Sequence, residues 1–229
     1  MKIIFTGGSG RFGKVFKEKT KLKKILFPNR KDLNILNFNS INKYLKKHKP
    51  KILIHAAALS RPMAIHEKNI NLSIDTNIIG TCNIVKACKL KNIKLIYLST
   101  NYVYPGLKGN YKETDSLLPY NNYAWSKLGG ECAVQLYKDS LILRLMMCEK
   151  PFQHEYAFYD IKTNFLFHEE VAQLLPKIID EKGILNVGGK LQTVYNFAKK
   201  SNKKVKKISG KKIYPPNLSM NLRKLKQLI

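Results

Sequence analysis

Apolar residues along this chain fall into short runs separated by longer amphipathic stretches. "KIIFTGG" (2–8) reads as a buried strand, because its apolar positions are consecutive rather than alternating. Residues 12–20 have helical spacing, and "KKILFP" (23–28) predicts a second strand stopped by Pro28. A helix over 40–48 leads into a third strand, "KILIHAAA" (51–58), in which His55 ends the core run. One long helix fits within 68–91, followed by a fourth strand, "IKLIYLST" (93–100). A helix over 122–138 precedes a fifth strand, "SLILRLM" (140–146). Strands that alternate with helices predict βαβ units, hence an α/β fold on a doubly wound parallel sheet covered on both faces. After Met147 the rhythm loosens. Helix returns at 168–181, "GILNVGG" (183–189) reads as a strand and 193–201 as a helix. The Lys-rich, Pro-broken stretch 201–219 predicts a surface excursion, with a last short helix over 220–228. No internal repeat is visible.

A chain of 229 residues with 44% hydrophobic content suits one domain, or one domain with a small appendage. No apolar run approaches the roughly 18–20 residues that span a membrane. The opening "MKIIFTGGSG" enters a strand directly and lacks the length and cleavage site of a signal peptide, so a cytoplasmic protein is expected. Cys82, Cys88, Cys132 and Cys148 form no C-x-x-C pair and have no zinc spacing with histidine; they read as reduced, mostly buried thiols, with no metal site. The net charge of +27 invites a nucleic-acid reading. Against it, only five of the 42 basic residues are arginine, and the lysines are spread along the whole chain, whereas base recognition favours Arg. A positive field of this kind draws in anionic small molecules, such as phosphorylated cofactors.

Candidate chemistry begins at "TGGSGRFG", between the first strand and the first helix. Gly7, Gly10 and Gly13 spell G-x-x-G-x-x-G, and Gly8, Gly10 and Gly13 spell G-x-G-x-x-G. Between a strand and a helix, such a turn lets backbone N–H groups approach a pyrophosphate at the helix N-terminus, which makes a dinucleotide site. At the tip of strand two stand Pro28, Asn29, Arg30 and Lys31, and Asp32 falls past the strand end. Arg30 and Lys31, joined by Arg11, suit a 2′-phosphate, which favours NADP(H) over NAD(H); solvated surface charge is the competing reading.

Three Tyr-x-x-x-Lys pairs occur, at 104/108, 123/127 and 195/199, against about two expected by chance in so Lys-rich a chain. The first contains Pro105 and Gly106 and reads as a turn; the third comes late in the chain. Tyr123 and Lys127 follow strand four, whose tip carries Ser99 and Thr100, at the edge where a doubly wound sheet binds ligands. A free phenol has a pKa of about 10, and a nearby Lys⁺ favours its ionised form. Tyr123 then serves as proton donor to a carbonyl, Thr100 holds the carbonyl oxygen and Lys127 holds the nicotinamide ribose.

With "TGGSGRFG", "HAAA" (55–58), "NIIGTCNIVKAC" (77–88), "LSTNYVYPG" (98–106) and "YAWSK" (123–127) in this order, the chain resembles an extended short-chain dehydrogenase/reductase with a Rossmann-type sheet. "STNYVYPG" followed by "YKETD" (111–115) resembles the dTDP-4-dehydrorhamnose reductase subgroup and the related sugar-nucleotide epimerases. The resemblance implies that Thr100, Tyr123 and Lys127 are catalytic. It implies that Gly7, Gly10, Arg11, Phe12 and Gly13 hold the pyrophosphate, with Asn29 and Arg30 at the strand-two tip and Asn34 and Ile35 on the adenine side. Ala56, Ala57 and Ala58 would line the cofactor, as would Ser99, and Asn77 is the helix asparagine the family uses structurally. Ser99, Asn101 and Tyr102 would meet the substrate; the subgroup usually has Asp where Asn101 stands.

Only 23 residues (145–167) separate Arg144 from His168, fewer than the family generally has there. The expected organisation is a NAD(P)-binding domain over 1–147 and a reduced substrate lobe over 148–229, interleaved with the sheet through 165–200. The implied function is NADPH-dependent reduction of a nucleotide-linked 4-keto-6-deoxysugar. The alternatives are a sugar-nucleotide epimerase with tightly bound NAD(P), and a non-catalytic NADP-binding regulatory subunit like that of methionine adenosyltransferase. The expected partners are the nucleotide sugar and a second copy of the chain in a homodimer.

Overall fold

A computed structural model describes residues 1–229. The chain runs β1 (Ile3–Thr6), α1 (Arg11–Lys19), β2 (Ile25–Leu26), α2 (Phe38–His48) and β3 (Ile52–His55). Then come α3 (Ile65–Lys68), α4 (Ile70–Ser73), a π-helical segment (Ile74–Ile79), α5 (Gly80–Leu90) and β4 (Lys94–Leu98). A 3₁₀ turn (Asn101–Val103), α6 (Asn122–Gln135) and β5 (Ser140–Leu145) come next. The remainder holds β6 (Met147–Cys148), β7 (Tyr156–Phe158), β8 (Lys162–Thr163), β9 (Leu166–Phe167), α7 (His168–Ile178), β10 (Gly183–Val187), β11 (Gln192–Thr193), α8 (Val194–Lys199), β12 (Lys206–Ile208) and α9 (Arg223–Lys226).

Six strands form one parallel sheet in the order β2-β1-β3-β4-β5-β10. The expected doubly wound parallel sheet is present. Its strand order reverses between β1 and β3, which opens a crevice beyond their carboxyl ends. Alternate residues of each strand feed two cores. Ile3, Phe5, Ile52, Ile54, Ile96, Leu98, Leu141 and Leu143 pack with α1 and α7 on one face. Ile4, Leu53, Leu95, Tyr97 and Ile142 pack with α2 and α5 on the other. Apolar demand on both faces is why these strands read as unbroken hydrophobic runs. A third cluster, including Phe152, Ile161, Phe165, Phe167, Val194 and Phe197, forms the core of the C-terminal part. No helix is long and apolar enough to cross a membrane.

Several elements differ from the sequence reading. The second strand shrinks from 23–28 to two residues, since Lys24 takes a left-handed backbone (φ 56°) and Phe27 leaves the ladder to pack on Phe5. The single helix expected within 68–91 is broken. Asn69 caps α4, and the widened π turn carries Asn77, whose amide reaches the Leu59 backbone and Ser126. The stretch 201–219 is not a simple surface excursion. Lys206–Ile208 pairs in parallel with Tyr156–Phe158, and Leu218 is buried against the loop after β4. Cys88 and Cys148 are buried, Cys82 is half-buried and Cys132 is exposed, so only two of the four free thiols match the buried expectation.

Candidate active site

The glycine turn is shaped by close approach. Gly7 has φ 80°, and a Cβ there would lie 2.8 Å from the Ala57 nitrogen. A Cβ on Gly13 would lie 2.3 Å from the Gly7 carbonyl oxygen, so only glycine lets α1 start directly on the turn. Gly10 N–H donates to Gly7 O at 3.0 Å. No side chain caps α1, and its first turn has no acidic residue, so its N–H groups and positive dipole end stay open to an anion. Thr6 Oγ1 fixes the neighbouring strand tip by pairing with His55 Nδ1 (2.8 Å) and accepting from Ala57 N–H (3.2 Å). Burial pushes the His55 pKa down to about 3, so the ring stays neutral.

A cavity of about 230 Å³ opens on this turn. Gly7, Gly10, Arg11, Phe12, Gly13, Ala56, Ala58, Ser99, Thr100, Tyr102, Tyr123 and Lys127 all line it. Asn121 caps α6 by accepting from Ala124 N–H (2.8 Å), which sets Tyr123 in the first turn and Lys127 one turn later on the same face. The small residues next to the pair have a steric reason: a Cβ on Gly130 would lie 2.5 Å from Asn77 O. α6 thereby packs close against the π segment.

Burial works on both members of the pair. It pushes the Tyr123 phenol up to about 12, while Thr100 and the fields of Arg61 and Arg11 pull it back. It pushes the Lys127 amine down to about 7, opposed by Glu131. Lys127 Nζ sits 4.1 Å from the centre of the Tyr97 ring. The expectation that Lys127 lowers the Tyr123 pKa is therefore corrected: a desolvated ammonium loses its own proton more readily, and the cations acting on the phenol are the two arginines.

Beneath the cavity runs a buried polar network. Ser99 Oγ donates to Glu131 Oε2 (2.6 Å), and Arg144 Nε and Nη2 donate to Glu131 Oε1 (3.0 and 2.6 Å). Arg144 Nη1 donates to Tyr104 Oη (2.8 Å), which donates to Asn186 Oδ1 (2.8 Å). Ser99 thus faces the cavity with its hydroxyl already committed to a carboxylate.

Other expected site residues lie elsewhere. Asn101 does not line this cavity; it is fully buried, and its amide donates to Thr163 Oγ1 (3.1 Å) and Leu218 O (3.0 Å), which ties the loop after β4 to the C-terminal segment. Asn77 clamps backbone rather than facing the cavity, and Ala57 is held by Thr6. Asn29, Arg30, Asn34 and Ile35 sit in the turns after β2, outside the cavity wall. There Asn29 Oδ1 accepts from Lys31 and Asp32 N–H, Asn34 Oδ1 accepts from Leu36 N–H, and Arg30 is exposed. Arg11 does not join Arg30 and Lys31; it pairs with Glu149 at 3.2 Å.

The sequence reading missed Arg61, Glu149 and His168, which also line the cavity. The scarcity of arginine (11, 30, 61, 144 and 223) marks Arg61 as unusual but does not place it at the cavity, and nothing in the sequence marks Glu149 or His168. A second cavity of about 890 Å³ adjoins the first, shares Arg11, Arg61, Met63, Tyr102, Met146 and Phe165 with it, and is walled by Phe152, Tyr156, Phe158 and Tyr214.

Known proteins resemble this chain in sequence and in fold. Methionine adenosyltransferase 2 subunit beta of Pongo abelii is 31% identical over 107 residues, 47% of this chain and 32% of that protein. dTDP-4-dehydrorhamnose reductase of Aggregatibacter actinomycetemcomitans is 29% identical over 154 residues (62% and 50%), and GDP-L-colitose synthase of Yersinia pseudotuberculosis is 30% identical over 195 residues (78% and 59%). The chain thus spans a third to three fifths of the length of these curated relatives. Among solved structures, dTDP-4-dehydrorhamnose reductase of Bacillus anthracis in complex with NADP superposes with a TM-score of 0.87 at 24% identity, covering 99% of this chain and 93% of that one. WbmG of Bordetella bronchiseptica in complex with NAD gives 0.79 at 16% identity, covering 100% and 87%. These superpositions establish a shared fold. Residues 1–148, well over half of the sequence, match the model of the RmlD substrate binding domain, and the chain belongs to that family.

Proposed function

We propose that this chain is an NADPH-dependent reductase acting on the keto group of a nucleotide-linked 4-keto-6-deoxysugar. The observation that carries the reading is the meeting of the glycine turn, Thr100, Tyr123 and Lys127 on one cavity. The residues present fit a dinucleotide: an uncapped helix N-terminus, a turn whose Gly7 and Gly13 have no room for a Cβ, and Arg11 beside it. Such a cofactor supplies hydride chemistry when bound. Tyr123 Oη gives its proton to the substrate oxygen, and Thr100 Oγ1 orients that oxygen. Arg61 and Arg11 stabilise the phenolate that remains, and Lys127 can take up or give a proton near neutral pH.

The preference for NADP is supported by exposed Arg30 and Lys31 after β2, and by the NADP in the B. anthracis structure; the NAD in WbmG makes it a matter for measurement. A division into a dinucleotide-binding part (1–147) and a smaller substrate lobe (148–229) belongs to the same proposal. So do a homodimer, supported by exposed Ile79, Trp125 and Leu136, and a cytoplasmic location, supported by four free thiols. The regulatory-subunit reading draws on the match to the methionine adenosyltransferase beta subunit.

The test is NADPH consumption by the purified protein with dTDP-, UDP- and GDP-linked 4-keto-6-deoxysugars. Tyr123→Phe is expected to lower kcat/KM by about 10²–10⁴-fold with NADPH affinity unchanged. Wild-type turnover by that variant would remove the proposed acid. Bound dinucleotide with no net NADPH consumption would point to epimerisation, and a stoichiometric partner with no turnover to a regulatory subunit.

A further inference from the structure

Arginine is rare in this protein: five residues among 42 basic ones. Two of the five, Arg11 and Arg61, stand where the two cavities meet and line both. Lysine would bring the same charge, but only the planar guanidinium grips an oxyanion at two points. Between the two stands Glu149, with Oε1 3.2 Å from Arg11 Nη1 and Oε2 3.5 Å from Arg61 Nη1. One carboxylate thus spreads its two oxygens over two guanidinium groups, the pattern a phosphate would make. The Glu149 side chain is 20% exposed, Arg61 33% and Arg11 46%, so all three remain within reach of a ligand.

The larger cavity has the rest of a nucleotide site. Its volume of about 890 Å³ lies in the range of small-molecule pockets, and aromatic rings of Phe152, Tyr156, Phe158 and Tyr214 offer faces for a base. No lysine lines it. Its one histidine, His154, is held below its ordinary pKa by burial and then by Arg61, so the standing positive charge is that of Arg11 and Arg61. Arg11 opens α1, beside the glycine turn that would hold a dinucleotide pyrophosphate. Arg61, from the loop after β3, is the guanidinium left for a second phosphorylated ligand.

We propose that Arg61 is the phosphate-recognition residue for a nucleoside diphosphate group in the larger cavity, and that Glu149 is its internal competitor. This rests on the reading of the substrate as nucleotide-linked, and adds which residue selects it. Glu149 holds both arginines ready when no phosphate is present. An arriving diphosphate must displace the carboxylate, so anions too weak to do so are rejected, at some cost in affinity.

Isothermal titration with dTDP, UDP, GDP and the unphosphorylated nucleosides, at saturating NADPH, tests this. Arg61→Gln is expected to weaken the best nucleoside diphosphate by about tenfold or more while leaving its nucleoside unchanged; tenfold corresponds to losing about 1.4 kcal/mol, close to the lower end of what a hydrogen bond to a charged group contributes. Arg61→Lys is expected to recover part of the loss. Glu149→Gln should tighten the diphosphate several-fold, an outcome that mere structural damage does not produce. In the Arg61→Gln background that gain should vanish. The assignment is overturned if Arg61→Gln weakens nucleoside and diphosphate equally or neither, if Glu149→Gln weakens the diphosphate, or if the wild type binds NADPH but no nucleoside diphosphate. Failure of the wild type to bind NADPH at all would instead overturn the reductase reading.

Discussion

Lys127 is under opposing demands. Its place on α6 puts it next to Tyr123, but the same place takes its ammonium out of water. Its pKa is about 7 in the folded chain against about 10.4 for an unfolded lysine. Above both values the amine is neutral in either state. As pH falls toward 7 the unfolded chain gains a proton that the folded chain refuses, so stability drops across that window and stays low below it. Lys127→Met removes this loss. Relative to wild type, the variant is expected to gain stability between pH 10 and pH 7, by up to an order of 4 kcal/mol, with no further gain below pH 6. Urea melts of both proteins at pH 6, 8 and 9.5 measure it; a pH-independent difference would show that Lys127 is charged throughout. At this scale the sequence made Tyr123 and Lys127 legible, because one helix and one strand tip suffice to place them. It left Arg61 and Glu149 illegible: they are 88 positions apart and meet only because their loops overhang the same crevice.

Elements were readable where the backbone's surroundings were uniform. β1, β3, β4 and β5 are buried on both faces, and their unbroken apolar runs say so. β12 could not be read, because all three of its residues are exposed and two are lysines; a backbone ladder alone makes it a strand. The π segment could not be read either, since its apolar spacing fits an ordinary helix and only the reach of Asn77 to Leu59 and Ser126 shows the widened turn. The glycine turn was legible as a motif, and the structure adds which glycine is constrained by space and which by backbone. Gly13 has no room for a methyl group, 2.3 Å from Gly7 O and 2.6 Å from Gly8 Cα. Gly183 has open space around it but φ 82°. Gly13→Ala is expected to cost about 2 kcal/mol or more by overpacking and to abolish NADPH binding, because the turn itself must shift. Gly183→Ala should cost only the left-handed penalty of about 1–2 kcal/mol and leave binding intact. Chemical denaturation paired with NADPH titration separates the two; equal binding by both variants would show that the turn yields without consequence.

The order of the chain and the order of the sheet disagree, and this governs how the whole molecule holds together. A reading along the sequence separates a dinucleotide-binding part from a lobe after Met147 that is interleaved with the sheet through 165–200, and β10 (183–187) is the outer strand beside β5. α7 covers the same sheet face as α1, bringing Val171, Ala172, Leu175 and Ile178 into the core shared with Phe12 and Phe16. The buried charge network crosses the same boundary. Arg144 reaches Asn186 through Tyr104, and Asn186 N–H donates to Glu113 Oε1 (3.0 Å). A chain ending at residue 148 would therefore expose β5 as a bare edge, lose α7 from the face it shares with α1, and cut Asn186 from the network around an arginine–carboxylate pair that is 2% and 0% exposed in the intact protein. It is expected to be aggregation-prone or molten, with no cooperative melt, dye binding to exposed apolar surface and no NADPH affinity. The full chain should show a single cooperative transition raised by NADPH. A cooperative melt and NADPH binding by residues 1–148 alone would mean that the sheet closes without β10, and the two halves would then be separable units joined by convenience of the chain.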